Sequence, residues 1–263
     1  MNIIKRLRKT TSKYLFVAQR CKNRREIFIT LIKGNKPRSV VLEDGIHVYA
    51  PENNELLKMM QEIFFENAYT PSNLSIEAND TVVDLGANIG VFTLFAACKT
   101  RSTVYAFEPF PESFEYLSRN VQINGLHNVV AHDKAVYDKI GTAKLFLHKS
   151  SGRHLISPDY AKTKLERYVE VPTTTLQQIM DSNNLKQIDF LKLDCEGSEA
   201  TILLSTPLEY LQRIRKIAME FHDSPAGSEH KKIESLLMRA GFATWLRWDG
   251  TSRFGYLYGL KNG

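Results

Sequence analysis

The stretch that decides the fold is Val82-Val83-Asp84-Leu85-Gly86-Ala87-Asn88-Ile89-Gly90. Its apolar run predicts a buried strand, which ends in an acid before a turn with two glycines leads into a helix. Gly86 and Gly90 allow the backbone to pass close to a ligand, because neither carries a Cβ. Asn88 lies between them, and asparagine tolerates a left-handed conformation better than other non-glycine residues. The stretch therefore predicts a strand, turn and helix that bind a cofactor.

A second acid, Glu108, follows Asp84 by 24 residues and lies at the end of the next predicted strand. An acid at that place suits bidentate hydrogen bonding to the two hydroxyls of a ribose. The cofactor is therefore expected to contain a nucleoside. The residues predicted to bind it from these two segments are Asp84, Gly86, Ala87, Asn88, Gly90 and Glu108.

Two cofactor classes use this arrangement, the nicotinamide dinucleotides and S-adenosylmethionine. A dinucleotide site needs Gly-x-Gly-x-x-Gly, with the pyrophosphate at the helix N-terminus. Here the glycines are spaced Gly-x-x-x-Gly, and Asp84 would lie close to the pyrophosphate charge. The same carboxylate is favourable beside the amino group and sulfonium of S-adenosylmethionine. Electrostatics therefore favours the methyl donor.

Beyond residue 72 the pattern alternates between strands and helices, which predicts an α/β fold with a parallel sheet covered on both faces. The chain ends differently, because residues 242–248 and 254–260 flank an Asp249-Gly250 turn and read as an antiparallel hairpin. The predicted strands before that hairpin are residues 81–85, 103–107, 129–132, 142–147, 189–193 and 216–221.

The N-terminal part has a different character. Residues 1–40 contain 12 Lys or Arg and one acid, Glu26, whereas the other 223 residues contain 23 bases and 28 acids. We expect helices over residues 2–33, a hairpin over 39–50 around Asp44-Gly45, and an amphipathic helix over 53–66. The predicted division is an appendage of residues 1–70 and a catalytic domain of residues 71–263. The basic arm suggests peripheral contact with a membrane or another anionic partner, with a solvated helix face as the alternative.

Composition excludes several classes of protein. The chain has 263 residues, of which 43% are hydrophobic, so it can build a sizeable core and is not disordered. Its apolar stretches are too short for a membrane span, and its three cysteines are too few for a disulfide scaffold. No apolar signal segment opens the chain, so we expect a cytoplasmic protein.

Three segments together resemble the FkbM-type family of S-adenosylmethionine-dependent methyltransferases. They are Asp84–Gly90, Phe107-Glu108-Pro109 and the stretch Ile188-Asp189-Phe190-Leu191-Lys192-Leu193-Asp194-Cys195-Glu196-Gly197-Ser198-Glu199. The resemblance covers about residues 66–254. It implies a class I methyltransferase (Rossmann-like) sheet of seven strands, and methyl transfer to a hydroxyl of a sugar, glycan or polyketide-like product. It also implies that the segment after the third strand, with Asp133 and Lys134, borders the adenine.

Acids and a histidine follow two predicted neighbouring strands, where ligands bind in open α/β sheets. Asp194 and Glu196 follow one strand, and Glu220 and His222 end the next. These four are the catalytic candidates, with Asp194 preferred over His222 as the base that deprotonates an alcohol. Each also has a structural alternative, and Glu220 is expected to pair with Lys192. Their oxygen and nitrogen atoms would suit a divalent metal, but no spacing requires one, and no metal site is assigned.

The acceptor side is less well marked. The polar stretch 148–166, with Arg153 and His154, is long enough to be a binding loop, and Tyr69 either closes over the donor or packs. The leading hypothesis is a small-molecule O-methyltransferase. The rivals are a nucleic-acid methyltransferase that uses the basic arm, a non-catalytic cofactor-binding module and a dehydrogenase; nucleic acid is disfavoured because the turn after Asp194 lacks an Asp/Asn-Pro-Pro-aromatic signature. The sequence does not determine the oligomeric state, and a homo-oligomer is one possibility.

Overall fold

A seven-stranded sheet forms the centre of the protein. The computed structural model describes residues 14–52, 54–147, 154–156, 167–224 and 227–261. Its strands, in chain order, are β1 (Ser39–Val41), β2 (His47–Tyr49), β3 (Val82–Leu85), β4 (Val104–Phe107), β5 (Val129–His132), β6 (Ala135–Val136), β7 (Gly141–Phe146), β8 (Tyr168–Thr174), β9 (Ile188–Leu193), β10 (Ile214–His222), β11 (Ala243–Arg247) and β12 (Phe254–Leu260). The helices are Arg24–Ile32, Leu56–Phe64, Val91–Ala97, Pro111–Ile123, Leu176–Ser182, Glu199–Ser205, Leu208–Leu211 and Glu229–Arg239, and residues 14–20 are also helical.

The large sheet has the strand order β11-β12-β10-β9-β3-β4-β5. Strands β10, β9, β3, β4 and β5 run parallel, and β12 lies antiparallel between β10 and β11. The order reverses at β3, so the ends of β3 and β9 border a crevice where ligands bind in sheets of this kind. The predicted α/β fold of class I type, with its seven strands and terminal antiparallel hairpin, is confirmed.

Along β3 and β9, alternate side chains pack into two hydrophobic cores, one on each face of the sheet. Val82 and Phe190 belong to the cluster on one face, whereas Val83 and Leu191 belong to the cluster on the other. Because side chains in a strand point alternately to opposite faces, a strand buried on both sides is apolar at most positions. The polar exceptions are Asp84 in β3 and Asp189 and Lys192 in β9.

The N-terminal hairpin β1–β2 packs onto this sheet through one of those cores, which also contains Phe16, Leu57 and Met60. Two asparagines hold the free edge of β2. Asn120 accepts from the Tyr49 N–H at 2.8 Å and donates to the Tyr49 carbonyl at 2.9 Å. Asn124 makes the same pair of bonds to His47, at 2.8 and 2.7 Å. The two asparagine side chains thus take the place of a neighbouring strand. Residues on both sides of the predicted boundary at residue 70 belong to the same hydrophobic core.

A smaller sheet, in the order β6-β8-β7, stands beside the carboxyl end of β5. The predicted strand at 142–147 corresponds to β7, but β8 is not predicted by the sequence pattern. Val169, Val171 and Thr173 alternate with the exposed Tyr168, Glu170 and Pro172, but this alternation is short, and a proline argues against a strand inside a sheet. Within the described part of the chain, no helix has the length and apolar character needed to cross a membrane.

Candidate active site

A cleft of about 960 Å³, partly open to solvent, lies at the carboxyl ends of β3, β4 and β9. One end is lined by the glycine turn and by Glu108, Ala135 and Val136, and the other by Tyr69, Asp194 and Glu196. The helix Leu56–Phe64 adds a wall with Met59, Glu62 and Ile63. Two sets of predicted site residues therefore share one cavity.

The glycine turn has the geometry that its sequence predicts. Gly86, Asn88 and Gly90 all have positive φ, at +74°, +52° and +89°. A Cβ on Gly86 would come within 1.9 Å of the Asp194 carbonyl oxygen, because the end of β9 passes directly against the turn. Gly86 is thus needed both for its backbone conformation and for this close approach. This packing of Gly86 against the Asp194 backbone fixes the position of the turn relative to Asp194.

Glu108 is buried beside the glycine turn. Its Oε2 accepts from the Asn88 N–H at 2.8 Å, and its Oε1 accepts from the Phe110 N–H at 2.8 Å. Burial raises the pKa of this carboxyl to about 7, although the two backbone donors oppose the shift. An ionised carboxylate has about four acceptor positions, so acceptor capacity remains on the cleft side after these two bonds.

Asp84 lies beneath the turn rather than in the cleft. It is fully buried, its Oδ1 lies 2.9 Å from Lys192 Nζ, and its Oδ2 accepts from Thr93 at 2.6 Å. Lys192 also donates to the carbonyls of Gly86 and Leu85, at 2.8 and 3.3 Å. Burial disfavours the ammonium, but Asp84 and Asp194 outweigh it and raise the Lys192 pKa. Asp84 therefore orders the turn through Lys192.

The predicted ion pair between Lys192 and Glu220 is wrong. Asp84 and Lys192 are register partners in the parallel pair β3–β9, so their side chains lie side by side on one face of the sheet. Lys192 aligns with Ala218 on β10, two residues before Glu220. The pairing depends on the register of three strands, which the spacing in the sequence does not give.

Asp194 faces the cleft just after β9. Its Oδ2 accepts from the Tyr69 hydroxyl at 2.7 Å, and that hydroxyl lies 3.5 Å from Glu220 Oε2. Burial and the charges of Asp194 and Glu220 raise the Tyr69 pKa well above its ordinary value, so the phenol stays a donor. The sequence left two roles open for Tyr69, closing over the donor or packing in the core. Its hydroxyl in fact fixes the orientation of the Asp194 carboxylate.

Glu199 organises the turn that carries Asp194 and Glu196, a role that sequence reasoning missed. It is 1% exposed, and it accepts from the Cys195 N–H at 2.7 Å and from the Gly197 N–H at 3.0 Å. Glu196 has φ +49°, a left-handed conformation that is uncommon outside glycine and asparagine. A glutamate two residues after a glycine, in the first turn of a helix, was the available signal for this capping role.

His222 and Glu220 lie behind the turn, outside the residues that line the cleft. His222 Nδ1 is 3.2 Å from Glu199 Oε1, and its Nε2 is 3.6 Å from Glu196 Oε2. Burial alone would lower the His222 pKa, but Glu199, Glu196 and Glu220 raise it well above its ordinary value. Burial and the nearby Asp194 raise the Glu220 pKa to about 8. A protonated His222 has no free lone pair, so Asp194 is the better placed of the two candidate bases.

The remaining predictions concern the adenine side and the binding loop. Asp133 and Lys134 are exposed and do not line the cleft, whereas the next two residues, Ala135 and Val136, do. Their role at the adenine stays a prediction. His154 lines the cleft, with its ring 4.0 Å from that of Phe110. Arg153 lies outside the described residues.

Asp194, Glu199 and His222 each place one ligand atom within 4.8 Å of the others. Hydrogen bonds explain this cluster, because the Glu199 oxygens already accept from two backbone amides and from His222. The described residues therefore do not require a metal at this place.

The comparisons with known proteins agree with this site. The family model of the methyltransferase FkbM domain matches residues 84–244, more than half of the chain. The chain belongs to the FkbM methyltransferase family. It is an S-adenosylmethionine-dependent methyltransferase. The matched segment begins at Asp84 and contains the carboxyl ends of all three strands at the cleft, β3, β4 and β9.

Three similar proteins carry names of methyltransferases. Methyltransferase sdnD of Sordaria araneosa is 30% identical over 229 residues, covering 76% of this chain and 86% of its own. The 31-O-demethyl-FK506 methyltransferase FkbM of Streptomyces tacrolimicus is 27% identical, covering 69% of this chain and 80% of its own. The hexuronic acid methyltransferase AglP of Haloferax volcanii is 28% identical, covering 64% of this chain and 65% of its own.

Proposed function

We propose that this methyltransferase is an O-methyltransferase, which transfers a methyl group to a hydroxyl of a small molecule such as a sugar, a glycan or a polyketide-like product. One observation carries the proposal. The Asp194 carboxylate lies in the cleft, is oriented by the Tyr69 hydroxyl at 2.7 Å, and is joined through the Gly86 contact to the turn expected to hold the donor. A fixed carboxylate beside the donor site is the group that an alcohol acceptor needs.

The described residues fit S-adenosylmethionine. Glu108 retains acceptor capacity for two ribose hydroxyls, and Ala135 and Val136 offer an apolar wall suited to an adenine ring. At the far end, Glu196 suits the positively charged amino group of the donor, and Asp194 stays available to the acceptor. Ala87 and Asn88 also line the cleft. When bound, S-adenosylmethionine supplies an electrophilic methyl group.

The chain's own residues would perform three tasks. Asp194 accepts the proton of the acceptor hydroxyl, since an alcohol is a poor nucleophile until that proton leaves. Tyr69 and the turn held by Glu199 keep the carboxylate in place, which reduces the entropy cost of alignment. The walls with Met59, Ile63 and Phe92 exclude water from the reacting groups.

The acceptor class rests on the relatives. Two of them carry names that specify oxygen-rich small molecules, a demethylated FK506 and a hexuronic acid. The helix Leu56–Phe64, which lines the cleft, precedes the segment that the family model matches, and we expect it to contribute to acceptor binding. The wall that selects the acceptor is therefore expected to differ among members of the family.

The test is transfer of an isotope-labelled methyl group to a panel of sugars, uronates and hydroxylated macrolides. Asp194→Asn should lower kcat by at least about a hundredfold, the usual contribution of a general base, while leaving S-adenosylhomocysteine affinity within a few-fold. Asp138→Asn, at an exposed aspartate that does not line the cleft, is the matched control. Full activity in Asp194→Asn would exclude Asp194 as the base.

The same assay separates the rivals. A non-catalytic module would bind the donor without turnover on any acceptor. A nucleic-acid methyltransferase would label nucleic acid, with binding that weakens steeply as salt increases. Labelling confined to amines would overturn the O-methylation proposal while retaining the methyltransferase activity.

A further inference from the structure

An apolar face lies on the surface of the N-terminal part, remote in sequence from every residue of the cleft. It consists of Tyr14, Phe28, Ile29 and Ile32, which we call the N-terminal apolar face. Ile32 is 85% exposed and Ile29 is 55% exposed, and the Tyr14 ring stacks on Phe28 with centroids 6.1 Å apart. Two largely exposed isoleucines one turn apart on a helix cost solvation free energy that a soluble surface normally avoids.

The helix Arg24–Ile32 holds this face in a fixed orientation. Ile27 points to the opposite side, is 1% exposed, and belongs to the core that also contains Leu57 and Met60. Successive helical residues are rotated by about 100°, which sets Ile27 and Ile29 on opposite sides. The N-terminal apolar face is thus the outward side of a helix that is anchored in the fold.

Basic side chains border the same face. Arg25 precedes Ile29 by one helical turn and Lys33 follows it by one turn, and both are exposed. Lys36 is exposed shortly after the helix. Glu26 is the helix's one acid, and it accepts from Asn23 at 3.4 Å. Exposed apolar residues with flanking cations and little negative charge suit the surface of an anionic membrane, where apolar side chains enter the headgroup boundary and cations meet lipid phosphates.

We propose that the N-terminal apolar face binds the surface of a membrane that contains anionic lipids. The isoleucines enter the boundary between headgroups and acyl chains, and Arg25, Lys33 and Lys36 contact lipid phosphates or carboxylates. Tyr14, with an apolar ring and a polar tip, suits the headgroup level. Nucleic acid would use the cations but gives no role to Ile29 and Ile32, so a lipid surface explains more of the face.

The experiment is cosedimentation of the full chain with vesicles of phosphatidylcholine alone or with phosphatidylserine. We expect binding to the mixed vesicles that weakens with salt. Ile29→Glu/Ile32→Glu should reduce partitioning at least about tenfold, because each change removes apolar insertion and adds repulsion. Ile140→Glu/Met238→Glu, with the same charge change at residues 64% and 61% exposed elsewhere, should retain binding.

Three results would overturn the proposal. One is no binding of the wild-type chain to the mixed vesicles at low salt. Another is an equal loss in both double variants, which would mean that net charge alone governs binding. The last is a dimer that only Ile29→Glu/Ile32→Glu dissociates, without vesicle binding, which would assign the face to a second copy. Unchanged S-adenosylhomocysteine binding in both variants verifies that the proteins are folded.

Discussion

Gly86→Ala tests the contact that joins the cofactor turn to the Asp194 strand end. Alanine at φ +74° costs about 1–2 kcal/mol, because a left-handed conformation brings Cβ close to the backbone. The new Cβ would also lie 1.9 Å from the Asp194 carbonyl oxygen and 2.8 Å from its carbon. Both are backbone atoms that no rotamer change can move, so we expect a further loss of about 1–3 kcal/mol, typical of overpacking.

Gly250→Ala is the matched control, because Gly250 has φ +78° and no atom within 4 Å of its Cβ position. It should show the conformational cost alone. The free energy of unfolding, measured in urea for both variants, gives the cost of the contact as a difference. We expect Gly86→Ala to be the less stable by about 1–3 kcal/mol and to bind S-adenosylhomocysteine more weakly. Equal losses in the two variants would refute the close packing of the turn against Asp194.

Two further predictions concern stability. The raised His222 pKa means that its pairing with Glu199 stabilises the fold fully below about pH 6.5 and is lost as pH rises through the folded pKa. Urea unfolding of wild type and His222→Gln should therefore differ most near pH 6, by about 1.5–3 kcal/mol, the usual contribution of a hydrogen bond to a charged group, and the two should converge in alkali. A gap that widens with pH would contradict this. Asn120→Ala should cost about 3 kcal/mol, since it leaves the Tyr49 amide and carbonyl and the Ile89 carbonyl without their partner. Asn79→Ala, at an exposed position, should change stability by less than about 0.5 kcal/mol, and an equal effect of both would show that Asn120 does not hold β2.

The sequence predicts the central sheet well because its signals are local. A strand buried on both faces is a short, mostly apolar run, and a left-handed turn favours glycine or asparagine. Both rules identified β3, the turn after it and the next strand ending in Glu108. The terminal hairpin was equally visible, since its Asp-Gly turn is a short-range signal.

The errors and omissions depend on contacts between distant parts of the chain. The partner of Lys192 follows from the register of β3 against β9, and the Tyr69 bond to Asp194 joins residues 125 positions apart. The His222 environment combines glutamates from two elements. No periodicity in a single sequence records such pairings, so the sequence gives the types of groups at the strand ends but not their hydrogen-bond partners.

The central claim is that the cleft binds the methyl donor, and substitution of Glu108 tests this claim most directly. We would titrate S-adenosylhomocysteine calorimetrically into wild type, Glu108→Gln and the control Glu112→Gln, whose side chain is exposed at the start of a helix. We expect the wild type to bind S-adenosylhomocysteine with micromolar affinity. This affinity should weaken at least about tenfold, or about 1.4 kcal/mol, in Glu108→Gln and stay unchanged in the control.

The pH dependence makes the same test sharper. Because the pKa of Glu108 is raised to about 7, wild-type affinity should increase as pH rises through that value and the carboxylate gains acceptors for the ribose. Glu108→Gln should lack this increase. Absence of binding by the wild-type chain, or equal affinity and equal pH dependence in Glu108→Gln, would contradict the account.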